Sequence, residues 1–182
     1  MEQWIARALE LGFSAAVPLR TDTLQPRADV RAMCSADTCR AYGKNWTCPP
    51  HCGTVQECQE KMHSYQNGIL LQTTGRMTKA IDSKCYRETE RRHLENFYAL
   101  ADKVREVYPK ALCLGAGGCR VCGVCAKRTG EPCRHPDLAM SSLEAYGINV
   151  SRLAPTADMK YINGNNTVTY FGAVLFSVGE GQ

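Results

Sequence analysis

Cysteine placement dominates how this chain can fold. Eleven of its 182 residues are cysteine, and most of them fall in two short segments, residues 34–58 and 119–133. Cysteines this dense either pair as disulfides or hold a metal, so the backbone of each segment must bring its sulfur atoms together. The first cysteine segment contains Cys34, Cys39, Cys48, Cys52 and Cys58, and the second cysteine segment contains Cys119, Cys122, Cys125 and Cys133.

Metal or redox chemistry explains these cysteines better than disulfides do. The N-terminus, MEQWIARALELGFSAA, has an acidic residue at position 2 and no continuous apolar run, so it predicts an amphipathic helix and not a secretory signal. We therefore expect the chain in the cytoplasm, where thiols stay reduced. The odd number of cysteines agrees with this expectation. With 44% apolar residues, the chain can also bury a core without cross-links.

The second cysteine segment, CRVCGVCAKRTGEPC, has the more specific spacing. Three cysteines at three-residue steps can fold as a tight loop over a four-iron cluster, and a more distant cysteine can complete the ligand set. The first three positions are like the bacterial ferredoxin signature, whereas the longer gap before Cys133 and the RHP after it depart from that signature. Zinc is the competing metal, but it prefers two separated cysteine pairs. The spacing favours an iron–sulfur site.

The first cysteine segment holds one cysteine more than a four-iron cluster or a zinc ion uses, since either takes four. A double proline stiffens the backbone directly after Cys48 and so directs its side chain. The spacing leaves the fourth ligand open between Cys58 and the alternate Cys52. Zinc remains an alternative here, held by the pairs Cys34 with Cys39 and Cys48 with Cys52.

Several unusual stretches between about Val30 and Phe176 match a known pattern. They are CSADTCRAYGKNWTCPP, GTVQEC, LGAGGCRVCGVC, EPCRHP, SSLEAYGINVSRL and KYINGNNTVTYFG, in that order. In these stretches the chain resembles the predicted metal-binding proteins grouped as domain of unknown function 2284. The resemblance implies two metal sites with two four-iron clusters, and it implies no reaction. It assigns Cys34, Cys39, Cys48 and Cys58 to one site and Cys119, Cys122, Cys125 and Cys133 to the other, while Cys52 and His51 depart from the family pattern.

Helix and strand patterns alternate along the chain. A first helix ends near Gly12, and the strand AAVPL follows it. Thr54 and Glu57 fit a capping box at the start of TVQECQEKMHSY, and apolar residues at three- and four-residue steps predict a long helix from Asp82 to Tyr108. Further strands are predicted at GILLQTT, KALCLGAGG and INVSRL, and a short helix is predicted between Ser141 and Gly147. A turn at Asn163–Gly164 is predicted to lead into a long central strand.

This alternation predicts an α/β fold with a mixed or mostly parallel sheet covered by helices, from which two cysteine-rich metal-binding loops project. No repeat or long linker interrupts residues 1–182, so we expect a single metal-binding domain. No stretch reaches the roughly 20 apolar residues that a membrane span needs, and no membrane role is expected.

The charge of the chain invites a nucleic-acid interpretation that other observations weaken. The formal net charge is +4 and the pI is about 8.5. A four-iron cluster held by four thiolates adds about two negative charges, so two clusters bring the sum close to zero. The basic residues are also scattered, and RETERR at residues 87–92 alternates in sign as a solvated helix face does. We predict no nucleic-acid partner.

Two cysteines and one histidine lie outside the ligand sets. Cys85 and Cys113 match no ligand position, and Cys113 lies in an apolar strand pattern typical of a core residue. His135 follows Cys133 by two residues and is a candidate hydrogen-bond partner of the second site.

The predicted function follows from complete ligation. A cluster held by four cysteines can exchange electrons but offers no open iron to a substrate. The sequence therefore predicts an iron–sulfur protein with two four-cysteine sites that serves electron transfer together with a redox partner protein. An enzyme of lyase or desulfidase type, with one iron left open, is an alternative, and a structural zinc-binding module is another. Serine triads, phosphate loops and zinc-binding helices are absent from the sequence.

Overall fold

The computed structural model describes residues 1–179, and all of the following elements belong to that part of the chain. Its helices are α1 (Glu2–Glu10), α2 (Ala28–Cys34), α3 (Val55–His63), α4 (Ser83–Val107) and α5 (Val150–Thr156). Its strands are β1 (Ala15–Leu19), β2 (Asn67–Arg76), β3 (Leu112–Gly115), β4 (Ser141–Ser142) and β5 (Thr167–Phe176). Short 3-10 helices lie at Thr21–Thr23, Ala126–Thr129 and Glu144–Tyr146. These elements fit the predicted α/β class.

The strands form a mixed sheet in the order β1, β2, β5, β3, β4. The β1–β2, β2–β5 and β5–β3 pairs are antiparallel, and the β3–β4 pair is parallel. A mixed sheet is therefore confirmed, whereas the mostly parallel alternative is wrong. The physical reason lies in β5. β2, α4 and β3 form the expected crossover between two strands of the same direction, but β5 inserts between those strands and runs opposite to both.

Both faces of the sheet are covered, and the central position predicted for the last strand is confirmed. Ala173 and Leu175 of β5 pack into one core layer, with residues of α3 and α5. Val174 and Phe176 alternate with them and pack into the other core layer, with residues of α1 and α4. Because β5 is hydrogen-bonded on both edges and buried on both faces, its sequence is a nearly continuous apolar run.

The stretch INVSRL, predicted as a strand, forms most of α5 instead. Asn149 has extended backbone dihedrals, and its side-chain oxygen accepts a hydrogen bond from the N–H of Arg152, which starts a helix at Val150. Val150 and Leu153 are buried in the core layer that also contains α3. Their three-residue spacing is that of one helix face, and the cap decides between helix and strand.

Other caps agree with the sequence in part. The Thr54 and Glu57 capping box is present, and α4 starts after Asp82 as predicted. The short helix predicted from Ser141 is wrong, because Ser141 lies in β4 and a 3-10 helix at Glu144–Tyr146 follows. Gly147 ends that helix with φ at 82°, in the left-handed region that glycine favours.

Within residues 1–179, no helix combines the length and apolar character that crossing a bilayer requires. One domain over residues 1–182 stays a prediction, and residues 180–182 lie outside the described part.

His93 is a buried histidine in the core between α4 and the sheet. Its Nδ1 lies 2.9 Å from the Thr73 hydroxyl oxygen, and its ring packs against those of Phe13, Phe97 and Tyr170. Burial lowers the pKa of His93 to about 4. The unfolded chain takes up this proton near pH 6.5, whereas the folded chain resists it until about pH 4, so stability is lost as the pH falls through that window.

We expect the His93→Gln substitution to remove part of this acid sensitivity. The free energy of unfolding of the wild type should fall by up to about 1.4 kcal/mol per pH unit from this group alone between pH 6.5 and pH 4. Urea unfolding of both proteins at pH 7 and pH 5 measures the difference. Loss of metal at low pH affects both proteins alike, so an equal drop in the two would contradict the assignment to His93.

Candidate metal centre

The first cysteine segment turns back on itself between α2 and α3. Cys34 ends α2, and Asp37 adopts a left-handed conformation with φ at 49°. The carboxylate of Asp37 accepts hydrogen bonds from the Tyr42 N–H and from the Lys44 ammonium group. The N–H of Gly43 then donates to the carbonyl of Pro49 over 2.8 Å. These contacts close the segment into a compact loop, with Cys39 exposed and Cys48 buried.

Three cysteines of the first segment interact electrostatically. Burial, and then the charge of Cys39, raises the pKa of Cys34. Burial raises the pKa of Cys48 to about 11, and the charges of Cys39, Cys34 and Cys119 contribute to that rise. Each thiolate thus makes its neighbours harder to ionise. A bound cation reverses this balance, since it stabilises the thiolates that ligate it.

Cys58 and Cys52 form a pair at the start of α3. Cys58 is 2% exposed, and its thiol lies 3.5 Å from the Cys52 carbonyl oxygen. Arg31 of α2 places Nη1 3.6 Å from the Cys58 sulfur and donates from Nη2 to the Gly53 carbonyl over 2.7 Å. The Cys52 thiol itself donates to the Ala145 carbonyl over 3.4 Å. The interaction between the two cysteine side chains, aided by the cation of Arg31, lowers the pKa of Cys58, and the same interaction followed by burial raises the pKa of Cys52.

This pairing bears on the ligand that the sequence leaves open. The Arg31 cation lies 3.6 Å from the Cys58 sulfur and stabilises a thiolate there, which favours Cys58 as the ligand. The cation of Arg31 acts on Cys34 as well as on Cys58, because its side chain reaches from α2 to the start of α3. Cys58 as the fourth ligand of the first site stays a prediction.

The second cysteine segment follows β3 and encloses a small cavity. Gly117 has φ at 71°, and this left-handed position turns the chain ahead of Cys119. A 3-10 helix at Ala126–Thr129, ended by Gly130 with φ at 77°, brings the chain back toward Cys133. The Arg134 Nη1 donates to the Val124 carbonyl over 3.1 Å and ties the two ends of the loop together. The half-buried side chains of Cys119, Cys122, Cys125 and Cys133 all line the cavity.

This cavity has a volume of about 20 Å³, which is room for one water molecule or metal ion, so the loop would have to open outward to hold a four-iron cluster. Four thiols on one cavity form the donor set that four-iron clusters and structural zinc both use. Taking residues 1–179 as they stand, no three His, Cys, Asp or Glu side chains are close enough together to hold a metal ion. All eleven cysteines lie in this part of the chain as free thiols.

The two cysteine segments lie against each other. A side-chain carbon at Gly118 would be 4.0 Å from the Cys48 sulfur and 3.6 Å from Ala41. The indole N–H of Trp46 donates to the Glu131 carbonyl over 2.9 Å, and the Lys127 ammonium group lies 4.5 Å from the centre of the Trp46 ring. Trp46 of the first segment thereby forms a wall of the cavity in the second.

Helix α4 contacts the second cysteine segment from the other side. Tyr98 is half-buried, and burial, followed by the charge of Cys119 and a hydrogen bond with it, raises the pKa of Tyr98 to about 12. Glu90 accepts a hydrogen bond from Arg120 over 2.6 Å. Sequence reasoning assigned no role to Tyr98 or to Trp46. The signal for Trp46 was its place between Cys39 and Cys48, whereas Tyr98 was indistinguishable from the other apolar positions of its helix.

The remaining cysteines and histidines are distributed as follows. Cys113 is buried in β3 within the core, as predicted, and burial raises its pKa to about 11. The Cys85 thiol donates to the Arg76 carbonyl over 3.2 Å at the start of α4. His135 is exposed and lines the cavity of the second cysteine segment, and His51 contacts the Trp46 ring edge-on.

Arg31 carries a prediction for the stability of the first cysteine segment. The Arg31→Met substitution keeps the length of the side chain but leaves the Gly53 carbonyl without its charged donor and Cys58 without its neighbouring cation. We expect a loss of about 1–3 kcal/mol in the free energy of unfolding, because hydrogen bonds from charged groups contribute about that much. Urea unfolding followed by circular dichroism measures it.

Arg20→Met is the matched control, since the Arg20 side chain bonds to the exposed Asp22 carboxylate next to it and joins no distant segments. Surface ion pairs contribute little, so this control should leave the unfolding midpoint where it is. An Arg31→Met protein as stable as the control would show that Arg31 does not hold α2 against the start of α3.

Comparison with known proteins places this centre in a family. No curated protein and no solved structure gives a significant match to the chain. A family model described as predicted metal-binding protein, DUF2284, matches residues 17–176. This range contains both cysteine segments and the sheet that carries them. The chain belongs to this family of predicted metal-binding proteins.

Proposed function

We propose that this chain is an iron–sulfur protein that holds two four-iron clusters and serves electron transfer with a redox partner protein. The observation that carries the proposal is the single cavity lined by Cys119, Cys122, Cys125 and Cys133. Three of these cysteines have the spacing of a bacterial ferredoxin loop, and the fourth reaches the same cavity from a more distant position. The family description supports metal binding as such.

For the first cluster we propose Cys34, Cys39, Cys48 and Cys58 as ligands, with Cys52 as the alternate. The charge of Cys39 raises the pKa of Cys34, and the charges of Cys39 and Cys34 contribute to the raised pKa of Cys48, so these three thiols lie near enough to support a shared site. The Arg31 guanidinium group lies 3.6 Å from the Cys58 sulfur, and its charge also lowers the pKa of Cys34 against the effect of burial. The guanidinium group of Arg31 offsets negative charge on the thiolates around it.

Electron transfer is supported by the contact between the two segments. A four-iron cluster supplies one-electron chemistry when bound. A side-chain carbon at Gly118, the residue before Cys119, would lie 4.0 Å from the Cys48 sulfur, so the chain segments that carry the two proposed sites are adjacent. Electron transfer slows steeply with distance, and this contact keeps the distance short. A partner would exchange electrons where the second segment is most accessible, around Val124, whose side chain is 59% exposed. We propose the cytoplasm as the compartment of this protein, because its reducing environment keeps thiols reduced.

One observation favours the enzyme alternative. Cys58 takes part in a hydrogen-bonded pair with Cys52, and its charge partner is Arg31. If that pair stays intact when metal binds, the first site retains Cys34, Cys39 and Cys48. A site with three thiolates leaves a metal position open for a substrate atom, as lyases and desulfidases require.

Metal analysis tests the proposal. Iron, sulfide and zinc are measured per chain on protein purified without oxygen, and visible absorption is recorded before and after dithionite. We expect about eight irons and eight sulfides, with brown colour that bleaches on reduction. Zinc without visible absorption would overturn the proposal and leave a structural zinc protein. Reducible clusters that change their spectrum when small molecules bind would favour the enzyme over the carrier.

A further inference from the structure

A cavity of about 700 Å³ lies beside the proposed cluster sites. It shares a wall with the cavity of the second cysteine segment, since Trp46, Thr47 and Ala139 line both. Cys52 of the first cysteine segment lies on its border as well. Its volume falls within the range of about 300–1,000 Å³ typical of small-molecule sites.

The lining of this cavity carries more positive than negative charge. Lys61 and Arg105 contribute cations. Asp137 is the carboxylate in the lining. The two cations come from separate parts of the chain, namely α3 and the last turn of α4. Folding therefore gathers them around one space, where they attract an anion.

Arg105 is a more specific indication of an anion site than the overall charge of the lining. Its Nη1 atom is buried, and within residues 1–179 nothing accepts a hydrogen bond from it. Leaving a buried charged donor without a partner is costly, and the Arg105 side chain also lines the cavity, so an anion there supplies the missing acceptor once the guanidinium group turns toward it. The planar guanidinium group matches the two oxygens of a carboxylate or phosphate group.

The apolar and aromatic residues of the lining suit an organic molecule better than a bare inorganic ion. Trp46, Ala111 and Leu112 contribute apolar surface, and Tyr65 and Tyr146 contribute aromatic rings. A ligand anchored at Arg105 can therefore lay apolar atoms against these side chains. We infer that this cavity binds a small organic anion, whose carboxylate or phosphate group is held by Arg105 and Lys61 and whose apolar part packs against Trp46 and Leu112.

This inference extends the proposed function without depending on it. A molecule in the cavity contacts Trp46, the residue that also borders the four thiols of the second cysteine segment. The site therefore offers a small-molecule position next to the proposed electron path. Binding of the anion itself requires no iron.

Isothermal titration calorimetry on the full-length protein, purified without oxygen, tests the inference. The probes are benzoate and phenyl phosphate, with benzyl alcohol as an uncharged molecule of similar shape. We expect at least one anion to bind saturably at 0.1 M salt and benzyl alcohol to bind far more weakly, because the charged group makes the anchoring bonds. The stronger of the two anions identifies the site as one for carboxylates or for phosphates.

The variants locate the site. Arg105→Gln should weaken binding of the better anion about tenfold or more, because a charged two-point contact is lost. Arg105→Lys keeps the positive charge but loses the paired N–H donors of the guanidinium group, so its affinity for the anion should lie between those of Arg105→Gln and the wild type. This variant replaces Arg105→Gln in the test if Arg105→Gln does not fold. Lys103→Gln is the matched control from the same helix, since Lys103 is exposed and bonds to Glu106.

Three outcomes would overturn the inference: no saturable binding of either anion up to about 10 mM, equal binding of benzyl alcohol, or equal loss in the Arg105 and Lys103 variants. Each result is independent of the metal analysis. A zinc protein that binds benzoate through Arg105 would refute the proposed function and support the anion site. A protein with eight irons and no anion binding would support the proposed function and refute the anion site.

Discussion

Replacing Cys122 with serine is expected to remove about half of the bound iron and sulfide, from about eight of each to about four. Cys122 is the middle residue of the three-cysteine run, and its half-buried side chain lines the same cavity as Cys119, Cys125 and Cys133. Serine has a similar shape but ionises far less readily than cysteine, so it is a poor ligand for iron. The first cysteine segment supplies its own thiols, so its cluster should remain.

Iron and sulfide content per chain and the visible spectrum measure this effect. Cys85→Ser is the matched control, because Cys85 is also half-buried but bonds to the Arg76 carbonyl and lies in neither cysteine segment. The control should keep its full metal content. A Cys122→Ser protein with unchanged iron, sulfide and spectrum would remove Cys122 from the ligand set. Loss of all the iron would show that the two sites assemble together.

The second large effect concerns the core. Phe97→Ala should lower the free energy of unfolding by about 3–5 kcal/mol, the range for a fully buried phenylalanine. Phe97 of α4 is 0% exposed, and its ring stacks on that of His93. The ring lies directly on the sheet at Gly172 of β5, where an added side-chain carbon would come within 2.5 Å of it. Alanine would leave a cavity between α4 and the sheet.

Chemical unfolding followed by circular dichroism measures this loss. Val107→Ala at the end of the same helix is the control, since Val107 is 56% exposed and its truncation should cost less than about 0.5 kcal/mol. Gly172→Ala should also destabilise, because its new carbon clashes with the Phe97 ring. The double variant should lose less than the sum of the two single variants, since removing the ring relieves that clash. Strict additivity would show that the two residues do not share this contact.

The elements were most predictable where the signal lies within a few residues of the chain. The capping box of Thr54 and Glu57, the start of α4 after Asp82 and the left-handed Gly147 depend on hydrogen bonds and dihedrals that span about one turn. INVSRL failed because its apolar spacing fits both a strand and a short helix face, and the Asn149 cap decides between them.

The sequence by itself determined the two cysteine segments, the metal-binding character and the alternation of helices with strands, because each depends on the spacing of cysteines or apolar residues along the chain. Only the tertiary structure decided that β5 inserts between β2 and β3, that Arg31 contacts Cys58, and that Arg105 lines a cavity beside Trp46. These features join residues far apart in sequence, as the bond from Trp46 to Glu131 does across 85 positions. Such contacts follow from how whole elements pack, and spacing within one element carries no record of them.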